Sequence, residues 1–114
     1  MDRRVEAVLL RIAKEWQRDL RIADLAASVN LGRSRLEHLF KEAVRTSIRE
    51  MLSRRRLMEA ATLLTTTHAR VSEISYRVGF RDVSNFNHAF RKAFSVSPGE
   101  YRRLASKGVK EHPE

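Results

Sequence analysis

The chain has no cysteine, only four glycines and two prolines among 114 residues, and no apolar run longer than a few positions. Without cysteine there can be no disulfide framework, no thiolate nucleophile and no cysteine-based zinc site, which fits a reducing cytoplasm. Without a long apolar run no segment can span a bilayer. The start, Met1 through Val5, lacks the apolar centre of a secretion signal. Catalytic constellations are missing as well. No Ser-His-Asp arrangement has a suitable context, no paired carboxylates face a cleft, and no glycine-rich loop can cradle a phosphate. Neither a catalytic residue nor a cofactor is expected. The other scarcity is negative charge: 23 Lys and Arg stand against 14 Asp and Glu, a formal net charge of +9. Clustered cations gain by displacing the counterions condensed on nucleic acid, so this excess points to a polyanionic partner.

What the sequence does contain is helical periodicity. Val5, Val8, Leu9, Ile12 and Trp16 recur at three- and four-residue steps and predict a helix from about Asp2 to Arg18, with Asp2 as its cap and Trp16 in the core. Ile22, Leu25, Ala26 and Val29 mark two further turns ending at Asn30, a residue that tolerates the left-handed conformation of a helix exit. After Gly32 comes a helix with Leu36, Leu39, Phe40, Ala43 and Val44 inward. Ser47 and Glu50 have capping-box spacing and open a helix that runs to about Thr66. Its apolar residues are split. At about 100° per residue, Ile48, Met51 and Leu52 centre opposite Leu57, Ala60, Ala61 and Leu64, so the first half serves one core and the second half another. Val71, Ile74, Ser75 and Val78 then form a short helix stopped by Gly79. Asp82 caps the next, with Phe86, Ala89, Phe90, Ala93 and Phe94 inward. Ser97, Pro98 and Glu100 together signal a last short helix docked by Tyr101 and Leu104. The prediction is an all-α fold of seven helices over residues 3–104: one subdomain over about 3–46, a shared helix over about 47–66, a second subdomain over about 67–104, and a disordered tail over 105–114.

The halves repeat. A shift of 50 pairs Leu36 with Phe86, His38 with His88, Phe40 with Phe90, Lys41 with Arg91, Ser47 with Ser97 and Glu50 with Glu100, whereas before the turn a shift of 49 pairs Leu25 with Ile74 and Asn30 with Gly79. Matched punctuation of this kind is the mark of a duplicated helix-turn-helix.

Two sets of residues resemble a known family. Val78-Gly79-Phe80, Asp82, Ser84, Phe86, Phe90 and Lys92, followed by Ser97-Pro98 and Tyr101-Arg102, resemble the signature of the AraC/XylS-type transcription regulators. Leu25-Ala26 through Phe40-Lys41, then Arg56-Leu57, Ala60 and Leu63-Leu64, are similar to the first half of the same domain. The resemblance covers about Leu20 to Arg102. It implies seven helices in two helix-turn-helix subdomains joined by one long shared helix, sequence-specific binding of double-stranded promoter DNA, usually activation, and often contact with RNA polymerase. Arg45 and Ser95 depart from the pattern, standing where glycine is common. Gly32 replaces a serine cap, Arg21 a small polar one, and Ile48 and Met51 replace proline and an aromatic residue.

The resemblance places Ser34, Glu37 and His38 of the first unit, and Val83, Ser84, Asn85 and His88 of the second, nearest the bases. Outer-face geometry adds Asn87. The chemistry suits a major groove: Asn85 or Asn87 can pair with adenine, Glu37 can accept from cytosine N4, Val83 can meet a thymine methyl, and the histidines can donate to guanine or phosphate. No arginine holds a favoured base-reading position, so DNA shape is expected to matter. Phosphate contacts are expected from Arg33, Arg35, Lys41, Arg81, Arg91, Lys92 and Arg102. Arg54, Arg55 and Arg56 point in three helix directions and cannot all face DNA, Arg56 being the one expected to be structural. His38 and His88 lie in separate units without clustered partners, so no metal site is expected. A 19-residue joint about 28 Å long is comparable with the roughly 34 Å between successive major-groove faces, so one chain can address adjacent grooves. The alternative is an RNA-binding or protein-interaction helical module, although RNA readers usually expose aromatics for stacking and most phenylalanines here continue apolar stripes. No sensory segment is visible, as expected either of a small cytoplasmic, nucleoid-associated regulator or of the DNA-binding end of a longer one with a sensory or receiver domain.

Overall fold

The computed structural model describes residues 1–111. They form seven helices: α1 (Arg3–Glu15), α2 (Ile22–Ser28), α3 (Arg33–Val44), α4 (Ile48–Thr66), α5 (Val71–Arg77), α6 (Val83–Phe94) and α7 (Pro98–Glu111). The described residues contain no strand, and none of their helices is long and apolar enough to cross a membrane. The chain divides into two compact units, residues 1–55 and 56–114.

In the first unit the carboxylate of Asp2 caps α1 by accepting from the Arg4 backbone N–H at 2.7 Å. Hydrogen bonding from the Arg4 side chain and backbone lowers this carboxyl to a pKa of about 2. Its contribution to the helix start is therefore present above the ordinary value of 3.8 and is lost as pH falls toward about 2. Val5, Val8, Ile12 and Trp16 of the α1 stripe are buried with Leu25, Ala26, Leu36, Phe40, Ile48 and Leu52. The Arg55 guanidinium lies 4.5 Å from the centre of the Trp16 ring, a cation–π contact made by a residue that stays exposed. Arg54 and Arg55 are both exposed and Arg56 is half-buried, so of the two exposed arginines Arg55 is the one set over Trp16.

The second unit is built on rings. Phe80, Phe86, Phe90, Phe94 and Tyr101 form a chain of edge and stacked contacts with centroids 4.4–5.8 Å apart, packed with Leu57, Ala60, Ala61, Leu64, Ile74 and Val78. The split apolar faces of α4 are therefore real: Ile48 and Leu52 belong to the first core, and Leu57 to Leu64 belong to the second.

Each cap expected from sequence is present. The Glu50 N–H donates to Ser47 Oγ at 3.0 Å, the Glu100 N–H to Ser97 Oγ at 3.2 Å, and the Ser84 and Asn85 N–H groups to the Asp82 carboxylate at 2.7 and 3.2 Å. Gly32, by contrast, gives α3 no side-chain cap. Asn30 exits α2 at φ 60°. Arg45 and Ser95 end α3 and α6 at φ 71° and 70°, each donating its N–H back four residues at 2.8 Å. These departures from glycine are accommodated as left-handed caps at an energetic cost.

Three expectations need correction. Residues 105–111, expected in a disordered tail, continue α7 to Glu111, because Ala105 to Glu111 contains no proline and its lone glycine does not break the helix; residues 112–114 lie outside the described residues. Leu104, expected to dock α7, is 44% exposed; the buried Pro98 and the Tyr101 ring against Phe90 and Phe94 do so instead. Ala43 and Ala93, read as inward, are both exposed.

The repeat extends to burial. From Ser34 to Met51 and from Ser84 to Tyr101 the two units share the same pattern of buried, half-buried and exposed positions except at Glu50 and Glu100. The match exposes two misfits. The hydroxyls of Ser75 and Thr46 are buried with no hydrogen-bond partner, and the equivalent residues in the other unit are Ala26 and Val96, which carry none. Orphaned buried hydroxyls cost about 1–3 kcal/mol. Ser75→Ala and Thr46→Val are therefore each expected to stabilise the protein by about 1 kcal/mol, measured as a higher urea midpoint at unchanged slope. Arg45→Gly and Ser95→Gly relieve the left-handed strain but loosen the unfolded chain, for a net gain of roughly 0.5 kcal/mol each. Thermal unfolding of the single variants checks this, and a lowered midpoint would count against it.

Candidate nucleic-acid interface

Burial of Leu36 and Phe40 fixes the roll of α3, and burial of Phe86 and Phe90 fixes that of α6. The opposite faces are then dictated. On α3 this face carries Ser34, His38 and Lys41 in a row, followed by the cap residue Arg45, with Glu37 and Glu42 on its two edges, all exposed. On α6 it carries Ser84, His88, Arg91 and Ser95, with Asn87 and Lys92 on the edges, again all exposed.

The expected base readers thus fall into two groups, Ser34, Glu37 and His38 on α3 and Ser84, Asn87 and His88 on α6. Val83 and Asn85 stand off the central row. Val83 is half-buried where Asn85 is exposed, and the Asn85 backbone N–H serves the Asp82 cap.

Shallow depressions flank both helices. That of the second unit, about 470 Å³, lies between Asn87, His88 and Arg91 of α6 and Ser97, Pro98 and Gly99 at the start of α7. That of the first, about 610 Å³, is lined by Glu37, His38, Lys41, Glu42 and Arg45.

The cations differ in how they are held. Arg33 lies 3.4 Å from the Glu37 carboxylate and His38 lies 3.6 Å from Glu42, both one helical turn apart. Arg35, Lys41, Arg91 and Lys92 are exposed, as is Arg81. Arg102 is the exception. Its Nε donates to the Leu64 carbonyl at 3.0 Å, and one terminal nitrogen donates to the carbonyls of Thr67 at 3.3 Å and Ala69 at 2.7 Å. The last turn of α4 leaves carbonyls without helical partners; from α7 this guanidinium satisfies that of Leu64, together with those of Thr67 and Ala69 in the segment that follows. Arg102, expected at a phosphate, is thereby reassigned as a clasp. Sequence reasoning also passed over Glu42 and Arg45, although their spacing of four from His38 and Lys41 places them on the same face.

The comparisons with known proteins bear on the family and the fold. Residues 25–104 match the helix-turn-helix domain family. The lactose operon transcription activator of Staphylococcus xylosus is 38% identical over 91 residues, 80% of this chain and 33% of that protein. The chain belongs to the AraC/XylS-type family of transcription regulators. The transcriptional activator RhaR of Mannheimia succiniciproducens is 31% identical over 99 residues, covering 87% of this chain and 36% of the relative. The chain therefore spans about a third of these relatives. Among solved structures, the C-terminal domain of AraT, a response regulator from Geobacillus stearothermophilus, superposes with a TM-score of 0.84 at 32% identity, covering 90% of this chain and 86% of that one. The DNA-binding domain of AdpA in complex with a target DNA shares the fold, with a TM-score of 0.84 at 22% identity over 99% of each chain.

The Arg102 clasp separates structure from binding. Arg102→Gln is expected to lower stability by about 2–3 kcal/mol, because charge-assisted bonds to three carbonyls are lost. Arg102→Lys should recover little, since a point charge cannot span three acceptors. Urea unfolding checks both. A folded Arg102→Gln protein whose affinity for duplex DNA loses one unit of salt slope would instead restore the phosphate role.

Proposed function

We propose that this chain is the sequence-specific, double-stranded DNA-binding unit of a transcription regulator, and that it places α3 and α6 in adjacent major grooves on one face of the duplex. The observation that carries this reading is the duplicated outward row on two repeat-equivalent helices, each held by the same buried pair and each bearing a histidine and a cation at matching positions. Ser34, Glu37 and His38 read one half-site, and Ser84, Asn87 and His88 read the other, with Val83 and Asn85 at its margin. Arg33, Arg35, Lys41, Arg81, Arg91 and Lys92 hold phosphates. The 19-residue α4, at about 1.5 Å per residue, suits a site of two half-sites one helical turn apart, read asymmetrically by a single chain.

Several observations support the wider role. Both curated relatives described above are named as transcription activators, which favours activation and a contact with RNA polymerase in the cytoplasm. Those relatives are about three times as long as the matched region, which favours a sensory or receiver domain in the complete regulator. Against an RNA-binding role stands the burial of the rings: Phe40, Phe86 and Phe90 are fully buried, leaving no stacking platform on either outward row.

Footprinting on a site selected from random DNA is expected to show two protected patches separated by about one helical turn, roughly 10 bp. One patch of roughly 5 bp would overturn the two-groove arrangement. His88→Ala and Asn87→Ala are expected to relax the selected sequence at one half-site, each at about 1–3 kcal/mol of discrimination. Structured RNA competing as well as duplex DNA at equal salt would sink the reading as a whole.

A further inference from the structure

The two rows are alike along their centres and unlike at their edges. At about 100° per residue, Ser34, His38 and Lys41 cluster on the outward line of α3, with Glu37 and Glu42 each about 70° from its mean direction, on opposite sides. The equivalent edge positions on α6 are Asn87 and Lys92. Both carboxylates are well exposed, Glu37 at 46% and Glu42 at 69% of the side chain. Each lies beside a basic side chain of its own helix rather than against the core: Glu37 beside Arg33 at 3.4 Å and Glu42 beside His38 at 3.6 Å.

The edges of such a helix matter because of the size of the groove. A helix with its side chains is about 10–12 Å across and the major groove is about 12 Å wide, so a helix lying in it turns its edge positions toward the two sugar-phosphate walls and the base edges beside them. A carboxylate there is repelled by phosphate. It recovers that loss only where a base amino group, such as cytosine N4, lies within reach to donate to it. An asparagine edge is neutral and reads adenine, and a lysine edge gains from any phosphate whatever the sequence.

Resting on the DNA-binding reading above, we propose that the edges of the two recognition helices divide the work: α6, besides reading its own half-site, adds a sequence-tolerant grip through Lys92, and α3 adds rejection of wrong sites through Glu37 and Glu42. On a non-cognate duplex the carboxylates stay beside Arg33 and His38, so α3 withholds a guanidinium and an imidazole from the duplex. On a cognate duplex the amino groups of the bases take over the carboxylates and free those two side chains. Glu42 is a specificity-determining residue in this scheme, and the ion pairs on α3 set a threshold for engagement.

The repeat itself supplies the substitutions for a test. Glu37→Asn and Glu42→Lys give α3 the edges of α6, and Lys92→Glu gives α6 an edge of α3; all three are exposed positions, so helicity and the urea midpoint serve as controls for folding. The intact 114-residue chain is titrated against a selected cognate duplex and a scrambled one at several salt concentrations, and each variant is put through selection from random DNA. Glu37→Asn and Glu42→Lys are each expected to raise affinity for the scrambled duplex by roughly fivefold near physiological salt, with a steeper salt slope for Glu42→Lys and a blurred sequence in one half-site. Lys92→Glu is expected to weaken both duplexes by a similar factor and leave the selected sequence intact. Scrambled-DNA affinity unchanged in both α3 variants overturns the proposal. So does an equal gain on both duplexes with the selected sequence unchanged, because the carboxylates would then only repel. A wild-type chain that binds neither duplex at low salt overturns the DNA-binding reading on which the proposal rests.

Discussion

One helix has to satisfy two cores. α4 carries Ile48 and Leu52 on one side and Leu57, Ala60, Ala61 and Leu64 on the other, and everything else in the chain is arranged around keeping both sides covered. The first side is covered by α1 to α3 and the second by α5 to α7. No single apolar stripe runs the length of α4, so neither group of helices can claim the whole of it. Its ends are secured differently. Ser47 satisfies the start from the adjacent residue, whereas the finish depends on Arg102, 38 residues from Leu64 in sequence. The joint is therefore locally specified at one end and tertiary at the other.

Burial on that joint is what aims the functional faces. Because Leu36 and Phe40, and likewise Phe86 and Phe90, are fully buried, the outward rows of α3 and α6 follow by helical geometry with no further adjustment. The two units reach the same pattern with different materials. An aliphatic stripe from α1 with Leu25 and Leu36 does in the first what a run of aromatic rings does in the second. Strain is tolerated at the same relative place in both, in the left-handed Arg45 and Ser95. The units differ where the solvent face begins, in the caps Gly32 and Asp82 and in the charges along the row edges.

Most of the fold was legible because its signals are local. Periodicity, the caps Asp2, Ser47, Asp82 and Ser97, and the left-handed exit at Asn30 each depend on residues within one or two turns, and the structure has them where the sequence placed them. The outward rows were legible for the same reason, since a helix with one buried pair has only one opposite face. What was not legible depends on distant partners. Arg102 looks like any surface arginine until the carbonyls of Leu64, Thr67 and Ala69 are brought beside it. Arg55 looks equivalent to Arg54 until Trp16 lies beneath it. The continuation of α7 past Leu104 was missed because polar residues with one glycine read as a tail, although lysine and glutamate are good helix formers.

The ring chain from Phe80 to Tyr101 has a consequence for a polypeptide that contains a near-copy of itself. Two segments with the same punctuation and the same burial pattern invite exchange during folding, with a helix of one unit docking in the place of its counterpart. Here the counterparts do not fit. α6 would bring Phe86 into a site shaped for Leu36, and α3 would leave a Leu-sized plug where ring must meet ring. Interiors close-packed like organic crystals register such volume errors strongly. Divergence of the cores, more than divergence of the surfaces, keeps each half of the duplication folding on its own side of α4.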